Sequence, residues 1–147
     1  MERKLFHLTV SLIIFKDNKV LLMRRCNTEY MNGMYSLVGG HVEENESLKH
    51  AIIRESKEEL GIDIIENSLK FVCMIRNDND NNYFNFFLGI DDFDGIPKIM
   101  ENDKCYELKW FDINNLPGNM IPADKLAIEK YLSGYAFDEY CLDNGMF

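Results

Sequence analysis

The sequence has no hydrophobic run long enough to cross a membrane and no recognisable targeting segment. No apolar stretch among its 147 residues approaches the roughly 18 that a transmembrane helix needs. The N-terminus lacks the small-residue cleavage site of a signal peptide. Repeats and linkers rich in glycine, serine or proline are absent too. We therefore expect one cytoplasmic domain over residues 1–147, without membrane contact.

Metal-binding cysteine pairs are also missing. The four cysteines form no CxxC pair, and no histidine lies at zinc-ligand spacing from them. The widely spaced set is predicted to be reduced and mostly buried; it consists of Cys26, Cys73, Cys105 and Cys141.

Positive charge is scarce in this chain. Lys+Arg number 16 against 25 Asp+Glu, which gives a formal net charge of −9. A charge of this sign repels a phosphate backbone, so a nucleic-acid polymer is excluded as the expected partner. A small phosphate-bearing ligand is still compatible with the negative net charge, because a divalent cation can reverse the charge of a local carboxylate cluster.

Strand-like segments dominate what is present, and two helical segments are available to cover them. Asn45 is the predicted cap of the first helix, which ends at Gly61, and Pro122 introduces the second helix. The asparagine-rich segment 77–82 lacks the glycine and glutamate of an EF-hand, which favours a hairpin turn. The pattern predicts an α+β or α/β sandwich with a mixed sheet, with strands over 5–15, 20–23, 35–38, 69–75, 83–90 and 107–112 and the second helix over 123–132.

The glutamates of the first helix point toward the protein. At about 100° per residue, Glu55 and Glu59 fall within about 20° of Leu48, in the apolar stripe, and Glu58 about 80° away. The basic residues of this helix fall on the outer side. Inward carboxylates without a counter-charge cost several kcal/mol each. We therefore expect a bound cation, and the all-oxygen ligands favour Mg²⁺ or Mn²⁺.

These residues occur in a longer pattern. The chain follows G-x5-E-x7-R-E-U-x-E-E-x-G-U at every fixed position, from Gly40 through Glu46, Arg54-Glu55 and Glu58-Glu59 to Gly61-Ile62. It therefore resembles the Nudix hydrolase family, of which this pattern is the signature. We call the segment from Gly40 to Ile62 the box. Ser56 departs from the usual aliphatic residue, and Val38 from the usual proline before Gly-Gly.

The resemblance implies an α/β/α sandwich and a metal-dependent hydrolase that cleaves a nucleoside diphosphate linked to another group. By the same likeness, Mg²⁺ or Mn²⁺ is bound by Glu55, Glu58, Glu59 and the carbonyl of Gly39. Glu46 and Arg54 are expected to form a structural ion pair.

Beyond the box, the likeness to MutT-type members indicates further site residues. Glu101 and Glu107 resemble a loop carboxylate that acts as a base or an extra ligand, Glu58 is a third candidate base, and a surface role stays open for Glu101 and Glu107. Arg25 resembles a phosphate-contacting arginine, with a solvated strand-end charge as the alternative. Asn119 resembles a purine-reading asparagine, with a turn-forming role as the alternative.

The expected function is hydrolysis of a nucleoside triphosphate to the monophosphate and pyrophosphate, an oxidised purine nucleotide being one candidate. ADP-ribose, nucleotide-sugar and dinucleoside-polyphosphate substrates stay open, because the box encodes the diphosphate chemistry and not the attached groups. A non-catalytic nucleotide-binding module is the alternative of another class, but it would be expected to lose box carboxylates. A homodimer is also left open.

Overall fold

Nine strands and two α-helices make up most of residues 1–78, 82–141 and 145–146, which are the residues described by this computed structural model. A short 3₁₀ helix, Glu66–Ser68, follows the first α-helix. The strands are β1 His7–Lys16, β2 Lys19–Arg25, β3 Tyr35–Ser36, β4 Val38–His41, β5 Lys70–Asn77, β6 Tyr83–Ile90, β7 Cys105–Asp112, β8 Phe137–Cys141 and β9 Gly145–Met146; the helices are α1 Leu48–Leu60 and α2 Pro122–Ser133.

The strands form a mixed sheet in the order β3-β2-β1-β6-β5-β8-β9, with β4 paired to β1 and β7 paired to β2. The central pair β1 and β6 is parallel, whereas β5 and β6 are antiparallel. Strand β4 is antiparallel to the first half of β1, with Gly39 opposite Ser11 and Gly40 opposite Val10. A mixed sheet is therefore confirmed.

Alternation along β1 divides the core into two layers. Val10, Leu12 and Ile14 are buried in one apolar cluster with the inner residues of α1. Ile13 is buried on the other face, in a cluster that contains α2 residues such as Ala127. Successive strand residues point to opposite faces of a sheet, so each helix covers one face. This arrangement is the expected α/β/α sandwich.

Several boundaries differ from the prediction. Strand β1 begins at His7 and not at residue 5, and β7 begins two residues earlier than expected, at Cys105. Strand β6 has the predicted bounds. Strands β8 and β9 were not predicted, although β8 pairs with β5 and extends the sheet. Of the predicted hairpin turn, residues 79–81 lie outside the described part of the chain.

The remaining expectations concern cysteines and membranes. Cys26, Cys73 and Cys105 are buried free thiols, and burial raises the pKa of Cys73 to about 11. The structure describes the backbone of Cys141 but not its side chain. Neither α-helix of the described residues is long and apolar enough to cross a membrane.

Candidate active site

Helix α1 is held at both ends by local contacts. The Ser47 hydroxyl accepts a hydrogen bond from the His50 N–H at 3.1 Å, so Ser47 is the N-cap and the predicted Asn45 is not. Asn45 instead adopts a left-handed conformation, with φ of 62°. Gly61 ends the helix at φ 67°, where its N–H bonds to the Lys57 carbonyl. A residue without Cβ adopts this conformation at low cost.

Strand β4 lies against the carboxylates of α1. A Cβ added at Gly40 would lie 2.2 Å from Glu55 Oε1, and one at Gly39 would lie 2.3 Å from the Val10 carbonyl oxygen. The Gly39 N–H also donates to Glu59 Oε2 at 3.4 Å. The two glycines therefore let the backbone approach the glutamates closely.

Two of the three box carboxylates are shielded from water. Burial, together with the charges of Glu55 and Glu101, raises the pKa of Glu59 to about 8, against the opposing effects of the Gly39 N–H and Arg25. Burial also raises the pKa of Glu55, against the hydrogen bond from Arg54. The Glu58 side chain is half exposed. The prediction that Glu55 and Glu59 point inward agrees with this placement.

Arg54 joins several carboxylates. Its Nε and Nη2 donate to the two oxygens of Glu46 at 2.8 and 3.0 Å, which is a bidentate ion pair. Its Nη1 donates to Glu55 at 2.9 Å and lies 3.5 Å from Glu58. The hydrogen bonds from Arg54 lower the pKa of Glu46 to about 2. Arg54, expected on the outer side, therefore reaches around the helix to the site.

The donor set fits a hard divalent cation. Glu55 and Glu59 offer carboxylate oxygens in a partly desolvated region, and among the described residues Glu59 accepts one long hydrogen bond, from the Gly39 N–H. Mg²⁺ prefers such oxygen ligands and neutralises their mutual repulsion. The side chains are not preassembled, because no group of three His, Cys, Asp or Glu in the described part of the chain is arranged to hold a metal ion.

A cavity of about 440 Å³ opens beside these residues; we call it the carboxylate cavity. Glu101 lines it and pairs with Lys104 at 3.4 Å. Arg25, at the end of β2, also lines it, while its Nε donates to the Tyr30 carbonyl at 3.2 Å. Among the carboxylates predicted beyond the box, Glu101 is therefore the one that lines the same cavity as Glu55 and Glu59.

A second cavity, of about 360 Å³, lies on the sheet face that α2 covers; we call it the α2-side cavity. Its polar lining includes Thr9, Ser11 and Asn85, on the central strands. It shares several lining residues with the carboxylate cavity, so the two cavities adjoin along β4 and the end of β2. The shared residues are Arg25, Ser36, Leu37, Gly39, Gly40 and His41.

Of the site residues predicted beyond the box, Glu107 and Asn119 lie apart from both cavities, and the box residue Glu58 is not part of either lining. Glu107 accepts a hydrogen bond from the Tyr35 hydroxyl at 3.1 Å and is not part of either lining. Asn119 is exposed, and its side-chain amide donates to the Gly33 carbonyl at 3.3 Å. Trp110 packs against the core layer that α1 covers.

Sequence reasoning missed Asp124, Tyr30 and Lys104. Asp124 is a buried carboxyl in the first turn of α2 and lines the α2-side cavity. A carboxylate near a helix N-terminus is common, so the pattern gave no signal for it. Tyr30 lies in a nine-residue polar loop without periodicity, and only tertiary contacts bring it to the cavity.

Comparison with known proteins gives related chains for nearly the whole sequence. The family model described as the NUDIX domain matches residues 5–131. An ADP-ribose pyrophosphatase from Methanocaldococcus jannaschii is 33% identical over 121 residues, covering 82% of this chain and 69% of its own. An 8-oxo-dGTP diphosphatase from Proteus vulgaris is 35% identical over 69 residues, covering 47% of this chain and 62% of its own. Among solved structures, a MutT NUDIX hydrolase from Burkholderia pseudomallei has a TM-score of 0.81 at 25% identity, covering 86% of this chain and 98% of its own.

Proposed function

Because this chain belongs to the Nudix family of pyrophosphohydrolases, we propose that it cleaves nucleoside triphosphates to the monophosphate and pyrophosphate with Mg²⁺ as its metal. Nudix hydrolases act on small nucleotides and generally use divalent metal ions. The observation that carries the proposal is the contact between the two cavities. The polar α2-side cavity suits a nucleoside, and the adjoining carboxylate cavity suits its phosphates with their metal. We take residues 1–147 as one Nudix domain.

The metal would be held by Glu55, Glu58, Glu59 and the Gly39 carbonyl. Mg²⁺ supplies polarisation of the phosphoryl oxygens and lowers the pKa of bound water. Gly39 and Gly40 leave the room that these carboxylates need against β4. Mn²⁺ has the same preference for oxygen ligands and is expected to substitute.

The proton of the attacking water needs an acceptor. We assign this role to Glu101, because it lines the carboxylate cavity and raises the pKa of Glu59 through its charge. Lys104 holds Glu101 at the rim of that cavity. Glu58 is the second candidate. Glu107 is the weakest, since its carboxylate bonds to Tyr35 outside both cavities.

Arg25 is proposed to position the phosphates. It lines both cavities at their junction, where a chain of phosphates would pass from the nucleoside toward the metal. A guanidinium there offers planar, fixed donors to phosphate oxygens. Asn119 stays a predicted base-reading residue, although its amide bonds to Gly33 and would have to turn to reach a ligand.

A second substrate class is favoured by one relative. The similar protein from Methanocaldococcus jannaschii is described as an ADP-ribose pyrophosphatase, so a nucleoside diphosphate with a second attached group is the alternative. The chemistry at the metal would be the same. The two classes of substrate would differ only in the group that is attached beyond the diphosphate.

The decisive experiment is a substrate panel with Mg²⁺. Purine and pyrimidine triphosphates, 8-oxo-dGTP, ADP-ribose, a nucleotide sugar and a dinucleoside polyphosphate are compared by kcat/KM, and products are identified by chromatography. We expect a triphosphate to rank first, with pyrophosphate as product. A preference for ADP-ribose would select the alternative, and no hydrolysis of any compound would overturn the proposal.

Glu59→Gln tests the metal site within the same assay. If the metal contributes roughly 4 kcal/mol to the transition state, its loss lowers kcat by about a thousandfold. Glu129→Gln, on the exposed side of α2, makes the same chemical change away from the site and should keep full activity. Near-normal turnover by folded Glu59→Gln would remove this glutamate from the assignment.

A further inference from the structure

Backbone hydrogen bonds fasten part of the segment between β6 and β7 to the C-terminal end of α1; we call residues 94–101 the anchored loop. The Lys98 N–H donates to the Leu60 carbonyl at 3.1 Å, and the Met100 N–H donates to the Glu59 carbonyl at 3.2 Å. The last carbonyls of a helix have no donor within the helix and take one from elsewhere. The anchored loop therefore caps α1 at the turn that carries Glu59.

The side chain of Met100 adds a contact to this cap. A Cβ added at Gly61 would lie 3.0 Å from Met100 Sδ, so the thioether lies against the glycine that ends α1. Met100 is 47% exposed, which means that about half of the residue is covered by protein. An unbranched thioether side chain adapts well to an irregular surface of this kind. Met100 is therefore held by its backbone and by its side chain at the same end of α1.

This anchor lies one residue from Glu101, the assigned base. Glu101 lines the carboxylate cavity together with Glu55 and Glu59. One peptide unit joins the Met100 N–H, which is bonded to the Glu59 carbonyl, to the backbone of Glu101. On the other side, the Glu101 carbonyl accepts the Lys104 N–H at 3.0 Å, which closes a turn. The separation of Glu101 from Glu59 is therefore set by backbone contacts.

We propose that Met100 is a positioning residue for hydrolysis, because its N–H and its side chain hold Glu101 at a fixed separation from the metal ligand Glu59. This inference rests on the proposed function, in which Glu101 accepts the proton of the attacking water. Met100 is not part of either cavity lining, so it acts through Glu101 and not on the substrate. A displacement of about 1 Å in a catalytic group lowers the rate on the order of a hundredfold.

The first test uses the unaltered protein without substrate. Hydrogen exchange of single amides is followed by NMR and corrected for the intrinsic exchange rate of each residue. The Met100 amide should exchange at least roughly tenfold more slowly than the amide of Ile96, an 86% exposed residue of the same loop whose N–H has no backbone acceptor in the described part of the chain. Equal corrected rates would overturn the proposal, because the anchor would not persist in solution.

The second test is Met100→Ala, which removes the side-chain contact and keeps the N–H. We expect kcat to fall roughly tenfold and KM to stay within about twofold, since the cavity linings are unchanged. Met100→Leu has a similar volume and should restore most of kcat. Ile96→Ala makes a comparable truncation at an exposed position of the same loop and is the matched control, with full activity expected. A Met100→Ala protein as active as this control would contradict the inference.

A double-mutant cycle separates positioning from a general loss of stability. If Met100 acts through Glu101, then Met100→Ala should lower kcat no further in a protein that already carries Glu101→Gln. The rise in melting temperature with Mg²⁺ should be kept in Met100→Ala, because Glu55 and Glu59 are unchanged. Losses in kcat that multiply in the double variant would show that Met100 does not act through Glu101.

The cycle uses the nucleotide that ranks first in the substrate panel, which keeps this inference separate from the proposed function. If ADP-ribose ranks first and the two losses do not multiply, the proposed substrate class fails and the role of Met100 stands. If a triphosphate ranks first and the losses multiply, only the role of Met100 is lost.

Discussion

At the scale of single residues, Ser56 is a polar side chain in a buried position of α1. It is fully buried, and its hydroxyl has no hydrogen-bond partner among the described residues. A buried hydroxyl without a partner costs about 1–3 kcal/mol. The position therefore favours a small apolar side chain.

We expect Ser56→Ala to raise the free energy of unfolding by about 1 kcal/mol, because the unsatisfied hydroxyl is removed with little loss of volume. Urea denaturation measures this, and kcat should not change. Ser133→Ala is the control, since its exposed hydroxyl already bonds to the Glu129 carbonyl and a change within about 0.5 kcal/mol is expected. A less stable Ser56→Ala protein would show that the hydroxyl is hydrogen-bonded in solution.

Asp124 also affects stability through its proton. Its pKa is about 7 in the folded protein against 3.8 for an unperturbed aspartate. Between these values the folded state keeps a proton that the unfolded chain has lost, so this group's contribution to stability is greatest below about pH 4 and declines as pH rises to about 7. The decline ends above the folded pKa.

Asp124→Asn should therefore gain stability relative to the unaltered protein as pH rises from about 4 to 7, with a constant difference above that range. Denaturant midpoints at half-unit steps of pH measure the difference and cancel the contributions of other groups. A difference that does not vary with pH would mean that Asp124 ionises normally in the folded protein.

At the scale of elements, the position of β4 against α1 decides the geometry of the carboxylates. Gly40 approaches Glu55 so closely that a methyl group there would overlap the carboxylate oxygen at 2.2 Å. That oxygen is at the end of a flexible side chain, so the chain can yield without unfolding. The strain falls on the site and not on the core.

Gly40→Ala is expected to keep its melting temperature within a few degrees but to lose activity on the order of a hundredfold, because a displacement of about 1 Å in a catalytic group has that effect. Gly118→Ala is the matched control, since a Cβ there meets no atom within 4 Å. Full activity in Gly40→Ala would show that Glu55 need not lie against β4.

At the scale of the whole molecule, the net charge of −9 makes the folded state sensitive to divalent cations. Folding brings Glu55, Glu59 and Glu101 to one cavity, where each raises the energy of the others. A cation bound there stabilises only the folded state.

Mg²⁺ should therefore raise the melting temperature. At one hundred times its Kd, a single bound ion contributes about 2.7 kcal/mol. Thermal scans with Mg²⁺ and with an equal ionic strength of NaCl separate binding from screening. Glu59→Gln should lose most of the shift, whereas Glu129→Gln should keep it. Equal shifts with both salts would exclude a specific ion site.

The sequence by itself determined features that depend on neighbours along the chain. The 3.6-residue period placed Glu55 and Glu59 on the inner side of α1, and Gly61 marked the end of that helix because it adopts φ 67° without strain. The strand-like run of aromatic and aliphatic residues after the asparagine-rich segment predicted β6 with the bounds that it has, from Tyr83 to Ile90. These patterns are local, so they hold whatever the rest of the chain does.

Only the tertiary structure decided which distant groups share a cavity. Asp124 reaches the Leu37 N–H across 87 residues, and Glu101 comes to α1 from a loop without any period. Arg54 lies on the predicted outer side of its helix, yet its long side chain wraps back to Glu46 and Glu55. Such contacts depend on strand order and helix placement, which are fixed by burial of the two core layers, and no spacing in the sequence encodes them directly.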